Sequence, residues 1–168
     1  MKELFDQIEI ASKNNAYWVA LIGVLTIPDI CSSLESENGT TNKKKYIKWF
    51  DTWVSEKYKI NNEIRLTGEI CYSYRCAIIH QGKPIHDDMP FDSIVFIHPK
   101  LKGINMHMAI AQKTLSININ QFVEEILESA ERWYGEINSK LIFQKNYSTF
   151  LKLHPNGKSP IFGIPLIG

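Results

Sequence analysis

Cysteine is scarce here: three residues, Cys31, Cys71 and Cys76, an odd number with no CxxC pair. That excludes a disulfide framework and a cysteine zinc site, and leaves reduced, buried thiols of a cytosolic protein. An excess of one charge is missing as well. Nineteen Lys and Arg face eighteen Asp and Glu, a formal net charge of +1, which excludes a general nucleic-acid coat but leaves room for a local basic cleft. There is no long apolar run. "AYWVALIGVLTIPDI" is broken by Pro28 and Asp29 after about a dozen residues, short of the roughly 20 that a membrane span needs. The opening "MKELFDQIEIASKNN" is amphipathic and acidic, unlike a signal peptide. A cytoplasmic protein with no membrane segment is therefore expected. No Gly-rich phosphate loop, Ser-His-Asp order or HExxH occurs, and neither does an internal repeat.

What is present suits one domain with an ordinary core: 168 residues, 44% hydrophobic and 22% charged,. Leu4, Phe5, Ile8 and Ala11 recur at helical spacing and predict a first amphipathic helix over 2–12. Asn14 or Asn15 caps a second, from about Ala16, which is apolar almost all round and belongs in the core. Pro28 either kinks it or opens a new segment through Ile30 and Leu34. After the polar loop "ESENGTTNKK", with its Asn38-Gly39 turn signal, a third helix is expected over about 43–58. A fourth runs from about 63 to 80, closed by Gly82 as a left-handed cap. The period then changes. "DSIVFIHP", "INMHMAIA" and "TLSININ" predict a two- or three-stranded antiparallel insertion over about 92–119. Asn118 or Asn120 caps a last long helix that buries Phe122, Ile126, Leu127, Ala130 and Trp133. Residues 141–168 read as an extended, apolar tail that packs on the domain or on a partner subunit.

The stretch "YSYRCAIIHQGK", 72–83, puts Arg75 and His80 in an apolar setting. Five helical residues turn about 500°, so the two side chains leave the helix roughly 140° apart, although arginine is long enough to wrap around a turn. His80 stands at the carbonyl end, which favours a cation. An arginine that holds a phosphate beside a histidine that moves a proton suits phosphodiester chemistry. The competing reading is structural: His80 bonds the last carbonyls, and Arg75 pairs with Glu69 or Asp29.

"RCAIIH", late in a helix of a mainly helical domain, resembles the HEPN superfamily, small helical domains with an Arg-x(4–6)-His motif. The resemblance implies a four- to five-helix bundle that dimerises. The two motifs then meet in a cleft that cuts RNA without metal, with Arg75 and His80 in acid–base and phosphate-binding roles. It also implies a place among toxins or antiviral defence proteins. Cys76 departs from the polar residue that commonly follows the arginine, and a thiol is a weak hydrogen-bond partner. "ALIGVLTIPDICSSLE", "YIKWFDTWV" and "YRCAIIHQG" are together similar to a group of small bacterial proteins over roughly 16–140. That likeness supports one co-linear domain and brings no activity with it.

Asp29, in "IPDIC", is costly within an apolar helix unless paired. It either orients Arg75 or His80 across the bundle or caps the segment after Pro28. Lys43, Lys44 and Lys45, interleaved with Tyr46 and Trp49, read either as an RNA contact or as a solvated helix start. His86, Asp87, Asp88, His98 and His107 lack the spacing of a metal motif, and Cys76 with His80 lacks an oxyanion hole. No metal or cofactor is expected. The expectation is a mainly α, HEPN-like domain over 1–140 with a small antiparallel β insertion before its last long helix. It would act as a homodimeric endoribonuclease through Arg75 and His80, supported by Asp29, Cys76 and Glu69. The alternative is a catalytically inactive helical interaction or nucleotide-binding module.

Overall fold

The computed structural model describes residues 1–84, 90–98 and 106–168. The fold is mainly α. Helix α1 (Lys2–Lys13) buries Phe5 and Ile8. Helix α2 (Tyr17–Leu34) passes through Pro28 without breaking, because the residues around it, Leu25, Ile27 and Cys31, are fully buried on the core side. It packs against α1 and against the helices described next, α3 to α6. This continuous helix is longer than the dozen apolar residues read from the sequence. By length and composition it could cross a membrane, yet half of it is buried inside the fold.

Helix α3 (Lys43–Trp53) starts at Asn42, whose side chain accepts from the Lys45 N–H at 3.0 Å,. It gives way to a 3-10 turn, Ser55–Tyr58, rather than continuing to Tyr58 as one helix. The expected start of the fourth helix near Glu63 is a small hairpin instead, β1 (Lys59–Ile60) with β2 (Glu63–Ile64). Asn61 and Asn62, both at positive φ, form its two-residue turn,. Helix α4 (Gly68–Gln81) follows, capped by Thr67. Its first residue admits no side chain: a Cβ on Gly68 would lie 2.6 Å from the Ile47 carbonyl oxygen of α3. Gly82 ends α4 in the left-handed region at φ 63°, as its position predicted,.

The insertion is a three-stranded sheet in the order β3 (Ser93–Ile97), β5 (Thr114–Asn118), β4 (Ala109–Ala111). The antiparallel expectation holds for β4 with β5, whose hairpin turns at Gln112 and Lys113 with positive φ. It fails for β3 with β5, which are parallel. β4 leaves the sequence between them but sits on the outer side of β5, so β3 and β5 run the same way. The side chain of Asn118 then caps α5 (Ile119–Ile137), accepting from the N–H groups of Asn120 and Gln121. All five residues of its expected stripe are buried.

The tail is less extended than its Gly and Pro content suggested. Helix α6 (Leu141–Tyr147) forms because Phe143 is fully buried against Trp133, Tyr134 and Tyr147. Its Asn146 amide donates to the carbonyls of Leu34 and Ser36, at 3.0 and 2.8 Å, satisfying the end of α2,. Beyond it lies a nested ribbon, β6 (Leu153–His154) with β9 (Leu166–Ile167), and β7 (Gly157–Lys158) with β8 (Ile161–Phe162).

Candidate functional site

Arg75 points from α4 towards α2, where its Nε donates to Asp29 Oδ2 at 2.9 Å. Its Nη1 folds back along α4 to lie 3.2 Å from His80 Nε2 and 3.9 Å from Cys76 Sγ. The arginine thus closes the angular gap that helical spacing opens. Because a guanidinium only donates, the Arg75–His80 contact is a hydrogen bond when Nε2 is unprotonated, with the ring proton on Nδ1. Among the described residues Nη2 has no partner. His80 is exposed, one residue before the end of α4.

Sequence reasoning overlooked Tyr72. Its ring lies 5.9 Å from the Arg75 guanidinium and 5.8 Å from Lys43 Nζ, with the edge of Tyr46 at 5.2 Å. Two cations share this ring, each also paired with a carboxylate, Arg75 with Asp29 and Lys43 with Glu69,. The signal was present, since Tyr72 precedes Arg75 and Cys76 by three and four residues and so shares their face. Beneath it, Tyr46 Oη donates to the Leu25 carbonyl at 3.2 Å and lies 3.4 Å from Cys71 Sγ, fixing α2, α3 and α4 together.

Burial raises the Asp29 pKa, and the charge and hydrogen bond of Arg75 offset this only in part,. Burial, then the adjacent Cys76 thiol, raises the Tyr72 phenol. Burial lifts the Cys71 thiol to about 12, which keeps it protonated and inert,.

The other sequence candidates are distributed as follows. Glu69 pairs with Lys43 at 2.5 Å and leaves Arg75 to Asp29, because it stands in the first turn of α4, facing the start of α3. Lys45 Nζ donates to Asn38 Oδ1 and the Thr40 carbonyl, bracing its own loop. Lys44 is exposed. His98 meets Tyr17 edge-on at 4.9 Å. His107 Nδ1 accepts from the Asn118 N–H at 3.2 Å, and its Nε2 lies 3.5 Å from Glu125 Oε2. His86, Asp87 and Asp88 lie outside the described residues. Among the described residues no group of three or more His, Cys, Asp or Glu side chains could hold a metal ion.

No family model, curated protein or solved structure matches the chain.

Proposed function

We propose that the chain is an RNA endonuclease of the HEPN type that works without metal, with Arg75 and His80 as its catalytic pair. The observation that supports this is the 3.2 Å contact between Arg75 Nη1 and an exposed His80 Nε2, with Asp29 anchoring the other edge of the guanidinium. Arg75 binds the scissile phosphate through its Nη edge. Substrate draws Arg75 Nη1 from His80 Nε2 to the phosphate, and the freed Nε2 takes the proton of the neighbouring 2′-hydroxyl, whose oxygen attacks phosphorus. The P–O5′ bond breaks, the 5′-oxygen takes a proton from a second imidazole, and a 2′,3′-cyclic phosphate remains. That second imidazole comes from a second copy across a homodimer cleft. Positive charge on Arg75 is most useful as the phosphorane charge develops. Lys43, beside Tyr72, meets an adjoining phosphate in exchange for its Glu69 partner. Such an enzyme would act in the cytoplasm, as a toxin or in antiviral defence.

An oligoribonucleotide carrying a single 2′-deoxy sugar at the cleaved position tests the chemistry. The reading predicts no cleavage there and a 5′-hydroxyl end on cut all-RNA; a 5′-phosphate end would contradict it.

The Asp29–Arg75 ion pair also favours a second reading. A guanidinium already matched by a carboxylate, followed by Cys76 in place of a polar residue, suits an inactive interaction or nucleotide-binding module. That module would bind nucleotide phosphates through Arg75 and cut nothing.

A further inference from the structure

The C-terminal ribbon and the chain leading into it expose Leu151, Leu153, Ile161, Phe162, Ile164 and Ile167. These side chains do not form one face. Ile161 and Phe162 are neighbours in β8, so they point to opposite sides of it, and they are 53% and 70% exposed. Leu153 and Ile167, paired across β6 and β9, are exposed as well. Contiguous apolar surface of this kind marks a contact with a protein or a membrane. A two-stranded ribbon open on both sides is marginal in water without one.

Two observations select a lipid surface as the partner. The first is the two-sided exposure. A flat protein partner that covers one side of β8 leaves the other side in water. A ribbon sunk into the boundary between headgroups and acyl chains is covered on both.

The second is charge. Residues 138–168 carry Lys140, Lys145, Lys152 and Lys158 and no Asp or Glu. Among the described residues none of these four lysines lies in an ion pair. Lys140, Lys145 and Lys158 are exposed, and Lys152 Nζ stands over the Tyr147 ring at 4.2 Å. Two acidic groups stand at the foot of the ribbon. Glu3 lines the same groove as Leu153 and Ile167. The carboxyl end of Gly168, towards which Lys158 reaches, accepts from the Lys152 N–H at 3.2 Å. The excess is cationic, so one ribbon repels another and attracts an anionic surface.

Apolar side chains that enter about 5–10 Å, with lysines held among anionic headgroups, are the two parts of a peripheral lipid contact. The long lysine stem lets the amine stay at headgroup level while its neighbours go deeper. Each strand of the ribbon is two residues long, against the roughly 9–11 of a spanning strand. The ribbon therefore lies in the surface and does not cross it.

We infer that the ribbon is a peripheral membrane contact: Ile161, Phe162 and Ile164 enter the boundary layer of an anionic bilayer while the flanking lysines meet its headgroups. The inference needs neither the Arg75–His80 chemistry nor a second copy.

Flotation of the full chain with vesicles tests this, comparing phosphatidylcholine alone with an equal mixture of phosphatidylcholine and phosphatidylglycerol. The chain should float with the mixed vesicles, bind the neutral ones about tenfold less, and weaken on the mixed ones at roughly 0.5 M salt. Phe162→Asp and Ile164→Asp should each lower binding about tenfold or more, with circular dichroism unchanged. Lys145→Gln with Lys158→Gln should lower it about tenfold. Trp18→Asp, at an exposed apolar residue of α2, should leave it as it is. A chain that does not float with anionic vesicles overturns the inference, as does one that floats equally with neutral ones. So does flotation that survives both ribbon substitutions, or that Trp18→Asp abolishes. A wild-type mass of twice 19.4 kDa that falls to one chain in Phe162→Asp also overturns it, because the ribbon would then face a second copy. RNA cleavage is read without vesicles, so failure of the membrane contact leaves the nuclease reading standing, and the reverse.

Discussion

Asp29 of α2 and Arg75 of α4, 46 residues apart in sequence, meet at 2.9 Å with side chains only 14% and 20% exposed. The pair joins two core helices and presents the Nη edge of the guanidinium to His80. Its cost and its use fall on different groups: burial penalises the Asp29 carboxylate, while the benefit is the orientation of Arg75.

Asp29→Asn should therefore separate stability from activity. Asn keeps the shape and a hydrogen-bond acceptor while removing a carboxylate whose ionised form is disfavoured by burial. The expected loss of stability is about 1 kcal/mol or less, within the net worth of one hydrogen bond. Cleavage should drop by about tenfold, equivalent to roughly 1.4 kcal/mol of transition-state stabilisation. Urea unfolding and kcat/KM measured on the same preparation check both halves.

The pH profile follows from the same carboxyl group. Its pKa is raised in the folded state, so its contribution to stability is fully present below the unfolded value and is lost as pH rises through the folded one. Acid therefore does not weaken the fold through Asp29. It does discharge the anchor of Arg75, at a pH above the usual carboxylate range. The acid limb of kcat/KM should begin there, with folding intact, and should flatten in Asp29→Asn. An unchanged limb in that variant would show that another group sets it.

The thiols should divide by burial. Cys31 and Cys71 are buried, and burial raises both pKa values. Cys76 is partly accessible and lies 3.9 Å from Arg75 Nη1. Native protein should take up one equivalent of iodoacetamide, at Cys76, and lose most of its cleavage as the adduct crowds the pair. The other two cysteines should label on unfolding. Peptide mass mapping reads the sites.

Glu125 is a stabilising group away from the site. Burial works against its carboxylate, but His107, whose Nε2 lies 3.5 Å from Oε2, the Gln121 amide that donates to Oε1 at 2.9 Å, and the Tyr58 hydroxyl outweigh it and lower the pKa. A lowered folded pKa gives stability that is present above the unfolded value and is lost as pH falls through the folded one. Glu125→Gln should then cost about 1 kcal/mol at neutral pH, and the difference should shrink in acid below the usual glutamate range. Chemical unfolding of both proteins across that range tests it.

Local chemistry made much of this fold legible. Gly82 announced a left-handed cap, Asn118 a helix start, and the α5 stripe its buried face. Features that depend on distant partners were hidden. Nothing in "SIVFI" or "TLSIN" says that β3 and β5 run parallel, because β4 could as well have paired between them. Pro28 reads as a breaker until the burial on both sides of it is seen. Asp29 was visible as a carboxylate in need of a partner, but Glu69 offered Arg75 an equal claim until Lys43 was found to occupy it. The Arg75–His80 contact runs against simple helical spacing and is made by the reach of the arginine. The environment of His107, in a strand-like run, was invisible because Glu125 and Tyr58 come from other parts of the chain.

The central claim is that Arg75 and His80 cut RNA. A cleavage assay in EDTA on total RNA and tRNA, comparing wild type with His80→Ala and Arg75→Ala, tests it most directly. The account predicts cutting by wild type, and its loss in both variants with helical circular dichroism unchanged. Wild-type dimer that leaves both RNAs intact, or a His80→Ala variant that cuts as well as wild type, would contradict it.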